Sequence, residues 1–403
     1  MMQPTVDRGN LPAPLMTSEP GSFAQYTVVE RMPQIVQQVI DDNPYSADIV
    51  RALRDLQDET GSRPIQPLEG PGADVAYWND AMAAHIGGDW LSIPWYLAET
   101  YFYRRLLQAT QYFQSGEWRG HDPFSKRKTE QEELAVAHLA EVWEELTDVD
   151  AQDLFELLIL SCLWGNRVDL SNYKLAAGAR AGLEARQERH NVLINHTDRV
   201  RSILSCGIDR LDFVNDNAGM DVLSDLVLSD FLIEWGWVQQ AVFHVKSYPF
   251  YVSDAMPRDV LATIVLLERS PRPGVRAIGE RYRERLQRGV FALKEHPFWT
   301  SAGSFFELPL YIHEELGQAD LIILKGDVNY RRMLDDRHWP HDAHMEQVAP
   351  DFPRPFAMLR TLKGEIMVGL ESGRSQELAA EDPDWLINGQ RGVIHLVTNN
   401  RQP

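Results

Sequence analysis

The chain has 403 residues, enough for two structural parts, and its 44% hydrophobic and 24% charged residues are those of a globular protein with an ample core. Its 59 acidic against 39 basic residues give a net charge of −20, a surface that repels nucleic acid and anionic lipid, and no stretch approaches the ~20 apolar residues of a membrane span. Two cysteines, Cys162 and Cys206, supply no disulfide framework, and the first 30 residues lack an apolar leader, so a reducing, cytoplasmic setting is expected.

Residues 1–25 read as a loose arm, with Pro4, Pro12, Pro14 and Pro20 spread through polar sequence. From Tyr26 to about Leu204 helical spacing dominates. Apolar residues recur at intervals of three and four from Trp95 to Phe113, and Thr129 to Leu146 is amphipathic and rich in Glu. Pro64, Pro67, Gly70, Pro71 and Gly72 mark a loop between helices, and Cys162 reads as a small buried hydrophobe in an apolar run. Near residue 205 the texture changes. Short apolar runs (Leu211–Val214, Val238–Val245, Leu321–Leu324, Phe356–Leu359, Val393–Val397) alternate with helical patterns such as Asp221–Trp235. Such alternation predicts an α/β fold: a helical domain over 26–204 followed by a mainly parallel sheet covered on both sides over 205–403.

Ligands of open α/β sheets bind outside the carboxyl ends of the strands, so the residues just after each strand matter most. Asp216-Asn217-Ala218-Gly219 comes after the first run and offers the oxygen donors that hard divalent cations take. The same four residues also suit a turn with a helix cap, as does Asp254, which stands after the second run before Met256 and Pro257. Lys325-Gly326-Asp327-Val328-Asn329-Tyr330-Arg331 ends the third, and Arg360-Thr361-Leu362-Lys363 the fourth. Lys and Arg neutralise phosphate oxygens, so these ends supply the local positive charge that a very acidic protein needs to accept a phosphate. The residues His338, His341 and His344 lack zinc spacing and are interrupted by Pro340, and read as a solvated loop. No Gly-x-Ser-x-Gly elbow, Walker loop or Gly-x-Gly-x-x-Gly fingerprint is found.

The words Asp216-Asn217-x-Gly219, Val252-Ser253-Asp254, Lys325-Gly326-Asp327-x-Asn329-Tyr330-Arg331 and Arg360-Thr361-x-Lys363 together resemble the damage-control phosphatase family (domain of unknown function 89). The Arg-Thr-x-Lys element points to its acidic residue methyltransferase-like subfamily. Upstream words extend the resemblance: Pro94-Trp95 with Glu99, Tyr103-Arg104-Arg105, Asp122-Pro123-Phe124, and Leu163-Trp164-Gly165-Asn166 with Asp169-Leu170-Ser171. The resemblance implies a helical N-terminal domain packed on a Rossmann-like three-layer α/β/α domain. It also implies a divalent metal (manganese, cobalt or nickel, with magnesium possible) on Asp216, Asn217 and Asp254. Small phosphorylated metabolites such as fructose 1-phosphate become the expected substrates, hydrolysed by metal-activated water. Asp254 or Asp327 would serve as base, and Lys325, Lys363, Arg360 and Arg331 would hold phosphate oxygens, with Asp221, Asp327 and Asn329 also contacting substrate. An S-adenosylmethionine-dependent carboxyl methyltransferase is the alternative activity attributed to the subfamily. The chain departs from the family at Asp221, where Glu is usual, and at His196, where Asp is common.

Overall fold

A computed structural model describes residues 11–147, 151–165 and 189–398, so Asn166, Asp169, Leu170 and Ser171 lie outside the described residues. The N-terminal part is helical: α1 (Phe23–Tyr26), a π-helical turn Thr27–Arg31, α2 (Met32–Asp42), α3 (Ala47–Ser62), α4 (Val75–Ala81) and α5 (Trp95–Ala109). Apolar residues one helical turn apart, Ile35, Val36 and Val39 on α2 and Ile49, Leu53 and Leu56 on α3, close a core of their own with Trp78, Trp90, Tyr101 and Phe102. Two longer helices follow, α6 (Ser125–Thr147) and α7 (Ala151–Trp164).

The remaining elements alternate. They are β1 (Val192–Asn195), α8 (Thr197–Ser205), β2 (Ile208–Val214), α9 (Met220–Glu234), β3 (Val238–Val245), α10 (Pro257–Glu268), α11 (Pro273–Arg288) and β4 (Phe291–Glu295). Then come α12 (Leu310–Leu316), β5 (Leu321–Lys325), α13 (Gly326–Met333), α14 (Met345–Val348), β6 (Phe356–Thr361), α15 (Arg374–Glu381) and β7 (Gly392–Val397). The strands form one sheet in the order β1-β7-β6-β5-β2-β3-β4, parallel at every pairing except β6 with β7. All five residues of the central β5 are buried, which is why Leu321–Leu324 is an unbroken apolar run rather than an alternating one, closed by Lys325.

One face of the sheet packs Leu211, Phe213 and Phe243 against Leu139, Phe155, Leu226, Ile264 and Tyr282 of α6, α7, α9, α10 and α11. The other face packs Val214, Ile322, Leu324 and Met358 against Tyr330, Met333, Phe352 and Trp299. The three-layer α/β/α architecture and mainly parallel sheet are therefore as expected. Buried residues run without interruption from Val222 to Leu232 because α9 is enclosed between the sheet and the α6–α7 pair.

Some features differ from the sequence-based expectation. Strands β1 and β4 are the two sheet edges and escape the sequence patterns, being four and five residues long and only partly buried. Strand β1 also precedes the change of texture at residue 205, and α6 and α7 share the sheet's core rather than that of α2–α5. Residues 11–25 are not loose. Leu15 and Thr17 are buried, and their amides bond the carbonyls of Asp336 (2.9 Å) and Ile93 (3.0 Å). Of the three histidines near residue 340, His338 meets Glu19 (2.8 Å) and His341 the Met367 carbonyl (3.0 Å), so they do not converge. No described helix is long and apolar enough to cross a membrane.

Candidate active site

The carboxyl ends of β2, β3, β5 and β6 open into one cavity of about 250 Å³. Its lining includes Asp216, Asn217, Asp221, Asp254, Lys325, Asp327, Arg331 and Lys363, eight of the ten residues singled out from the sequence. Local backbone pairing explains how positions so far apart meet. Asn217 and Asp254 form an isolated antiparallel bridge, in which Ala218 N–H donates to the Ser253 carbonyl (2.7 Å) and Ala255 N–H to the Asp216 carbonyl (2.8 Å). The loops after β2 and β3 thus behave as one unit. Ser253 Oγ donates to Asn217 Oδ1 (2.7 Å), and Asn217 Nδ2 donates to Asp216 Oδ2 (3.0 Å) and Asp221 Oδ2 (2.9 Å).

Glycines let other segments come close to these acids. A Cβ on Gly326 would overlap the Asp216 carboxylate, and the φ of +81° also disfavours any other residue. Behind α7, a Cβ on Gly165 would stand 2.5 Å from Asp221 Oδ1. From below, Lys128 Nζ of α6 donates to the Asp254 carbonyl (2.7 Å) and Asp259 Oδ2 (3.0 Å), fixing the loop that carries Asp254.

The electrostatics are unfavourable at one point. Asp216 keeps part of its surface open to the cavity, but enclosure, and then the facing charges of Asp254 and Asp221, push its carboxyl well above the ordinary value. Burial likewise raises Asp254, against the opposing pull of Lys246 and Lys128. Lys246 Nζ lies 3.3 Å from Asp254 Oδ2, an ion pair without the alignment of a hydrogen bond, which leaves that buried oxygen unmatched. Crowded carboxylates with an unmatched buried oxygen fit a bound cation, and all the donors offered are oxygens of the kind a hard divalent ion prefers. Among the described residues no trio of His, Cys, Asp or Glu makes such a site; the set is completed by the Asn217 amide.

The remaining predicted residues divide. Lys325 Nζ lines the cavity but donates to the buried Asp225 (2.7 Å), which also accepts from Asn215 (2.9 Å), and this anionic contact raises the lysine's pKa despite burial. Lys363 is exposed at the rim. Asn329 and Arg360 do not line the cavity. Asn329 Nδ2 donates to the Val214 (3.2 Å) and Lys325 (2.8 Å) carbonyls, pinning the ends of β2 and β5 together. Arg360, fully buried over the Tyr330 ring, donates to Asp327 Oδ1 (2.7 Å) and to the carbonyls of Gly364 (3.0 Å) and Ile366, so it orients Asp327 rather than a ligand. Arg331 forms wall: it donates to Glu99 (2.6 Å) and Asp336 (2.7 Å) and lies 3.6 Å from the Trp95 ring centroid.

Lys246, Lys128 and Tyr251 escape the sequence reading. Lys246 had a usable signal, since it follows β3 immediately, as Lys325 ends β5. Tyr251, at φ +54°, sends its hydroxyl to Glu99 (3.2 Å), a contact no local pattern announces.

A mainly parallel sheet with crowded oxygen donors and amines at its carboxyl edge has the chemistry that suits a divalent cation and a phosphate-like anion. Residues 27–378 match the family model described as the damage-control phosphatase ARMT1-like domain. The chain is 30% identical to the damage-control phosphatase ARMT1 of Danio rerio over 97% of its own length and 98% of that protein's. It is 31% identical to the Bos taurus protein of that name (96% and 98%) and 29% to the Homo sapiens one (95% and 98%). A crystal structure of a duf89 family protein from Pyrococcus horikoshii aligns at 15% identity with a TM-score of 0.45, covering 88% of this chain and 94% of that one. The chain belongs to the damage-control phosphatase ARMT1-like family, and it is a metal-dependent phosphatase of that class. None of these comparisons favours the methyltransferase reading.

Proposed function

We propose that the protein hydrolyses small sugar phosphates of the fructose 1-phosphate kind, or damaged phosphometabolites, in the cytoplasm. The observation that carries this reading is the pairing of the oxygen cluster Asp216, Asn217 and Asp254 with the amines of Lys325 and Lys363 around one small cavity. The cytoplasmic setting rests on the two cysteines, both free thiols.

Asp216, Asn217 and Asp254 would hold the divalent ion, for which manganese, cobalt and nickel are the proposed metals, with magnesium possible. Bound there, the ion supplies charge neutralisation at the phosphoryl group and acidifies water in the cavity. Lys363, the exposed amine at the rim, donates to the phosphoryl oxygens, and Lys325 adds a fixed positive field from the cavity floor. Asp327, whose Oδ1 is held by Arg360, has Oδ2 without a protein partner among the described residues and positions the attacking water. The water oxygen bonds to phosphorus as the ester oxygen leaves, and Asp327 takes the proton that the leaving alkoxide finally receives. Asp221 accepts a hydrogen bond from a sugar hydroxyl.

The test is turnover of a panel of sugar phosphates with each of several divalent metals. Fructose 1-phosphate hydrolysis that requires metal and vanishes in Asp254→Ala is expected. Full residual activity in that variant overturns the residue assignment, and an inert panel overturns the substrate class.

A further inference from the structure

Neighbours already engage most charged groups that line the cavity. Lys325 is bonded to Asp225, Arg331 to Glu99 and Asp336, and Asp327 to Arg360, while Asp254 stands against Lys246. Among the described residues this leaves two lining cations with no hydrogen-bonded acid, Lys363 and Arg31. Lys363 belongs with the phosphate that reacts. Arg31 comes from the opposite side, out of the helical layer.

Arg31 closes the π-helical turn Thr27–Arg31, a backbone form that is rare and frequently placed at functional sites. Its guanidinium is 3.8 Å from Glu99 Oε1, beyond hydrogen-bond distance, and 5.3 Å from the Phe23 ring centroid. Glu99 is itself already countered, because Arg331 donates to Oε2 at 2.6 Å and Tyr251 at 3.2 Å. With 37% of its side chain exposed and only a loose ion pair to Glu99 Oε1, Arg31 presents to the cavity a charge that no hydrogen bond among the described residues fixes. Tyr103 lines the same space, and burial, with the charge of Glu99 adding to it, keeps its hydroxyl protonated, so it is a neutral donor in the cavity.

We propose that Arg31, with the Tyr103 hydroxyl in the same cavity, is a second anion anchor, so that the preferred substrate is a phosphoester whose leaving group carries its own anionic group, phosphate or carboxylate. This rests on the phosphatase reading of the site. A guanidinium fork matches either anion bidentately, whereas a neutral hydroxyl at that end gains no charge-assisted pair from it. On a chain of net charge −20, a doubly anionic substrate needs counter-charge at both ends, and Arg31 is what the helical side of the cavity offers.

The experiment compares kcat/KM of the metal-loaded protein for fructose 1,6-bisphosphate against fructose 1-phosphate, and for 6-phosphogluconate against glucose 6-phosphate. Each pair is measured in the native chain, Arg31→Gln and Arg31→Lys. The expected result is a preference for the doubly anionic member that falls about tenfold in Arg31→Gln, through KM, and returns only in part in Arg31→Lys, which keeps the charge but not the fork. A fall in the first pair alone identifies phosphate as the anchored group, and in the second pair alone, carboxylate. Ratios unchanged in both pairs overturn the proposal. Calorimetric binding of the same four compounds is read alongside. Should no phosphoester be turned over, the hydrolase reading fails by itself, and the Arg31 anchor stands or falls on whether Arg31→Gln erases the binding difference.

Discussion

Two parts of the cavity bury charge in opposite ways. On the helical side, Arg331 bonds Glu99 and Asp336 while stacking on Trp95, and the neighbouring Arg332 donates to Tyr96 Oη (2.6 Å) and to the carbonyls of Phe298 (2.8 Å), Trp299 (3.1 Å) and Ser301 (2.8 Å). At the sheet edge, Asp216, Asp221 and Asp254 face one another, one buried oxygen has no hydrogen bond, and two carboxyls are pushed upward. Arg331 and Arg332 have their charges matched within the protein, whereas the acids of the floor face one another and suit a bound cation. The first arrangement gives rigidity, and the second stores the capacity to bind as local unfavourable charge.

This contrast breaks most visibly at Arg331. Arg331→Met leaves Glu99 and Asp336 buried without their cation, and urea unfolding should record a loss of roughly 3–5 kcal/mol. A loss under about 1 kcal/mol would mean the wall is no more satisfied than the floor. At the floor the effect should fall on rate rather than on fold. Gly326→Ala drives a methyl into the Asp216 carboxylate, with an expected drop of about 100-fold in kcat/KM at modest cost to the unfolding midpoint. Activity within a few-fold of the native chain would show that Asp216 can move freely.

Proton and metal should compete at the same acids. The ordinary Asp value is 3.8 and folding raises both Asp216 and Asp254, so the folded state binds their protons more tightly than the unfolded chain. That contribution is complete below the unfolded value and is lost as pH climbs through the folded values. Metal-free protein should weaken accordingly as pH rises above about 4, and the stabilisation by added manganese should grow to the order of 1–3 kcal/mol by about pH 8. Thermal unfolding with metal and with chelator at several pH values checks it, and a metal effect independent of pH would remove these acids from the ion's site. The smallest change expected is at Asp221. Restoring the family's Glu adds one methylene beside Gly165 and should shift KM among sugar phosphates by roughly two- to fivefold with kcat held.

Much of the sheet is legible in the sequence because its central strands, buried on both faces, are plain apolar runs such as Leu321–Leu324. The edges are not, since the five residues of β4 alternate too weakly to stand out. Strand-end placement brings Asp216, Asp254 and Lys325 to one cavity, but it does not distinguish Lys363, which lines that cavity, from Arg360 three residues earlier, which is buried away from it. That distinction depends on the carbonyls of Gly364 and Ile366 folding back over the guanidinium, a loop path that no residue pattern specifies. The wall was least legible of all, because the Arg331–Glu99 bond joins residues 232 positions apart.

The antiparallel insertion of β7 between β6 and β1 has a consequence for the order of events during synthesis. Strand β1 is made before every other strand described, but among the described residues its only hydrogen-bonded neighbour in the sheet is β7, and His196 just beyond it accepts from the amide of Leu396, 200 residues later. The strands bearing Asp216, Asp254 and Lys325 pair with one another and can assemble beforehand. The nascent chain therefore carries a formed site floor beside an open sheet edge at β6, and translation of the last strand closes that edge and captures β1 in one step.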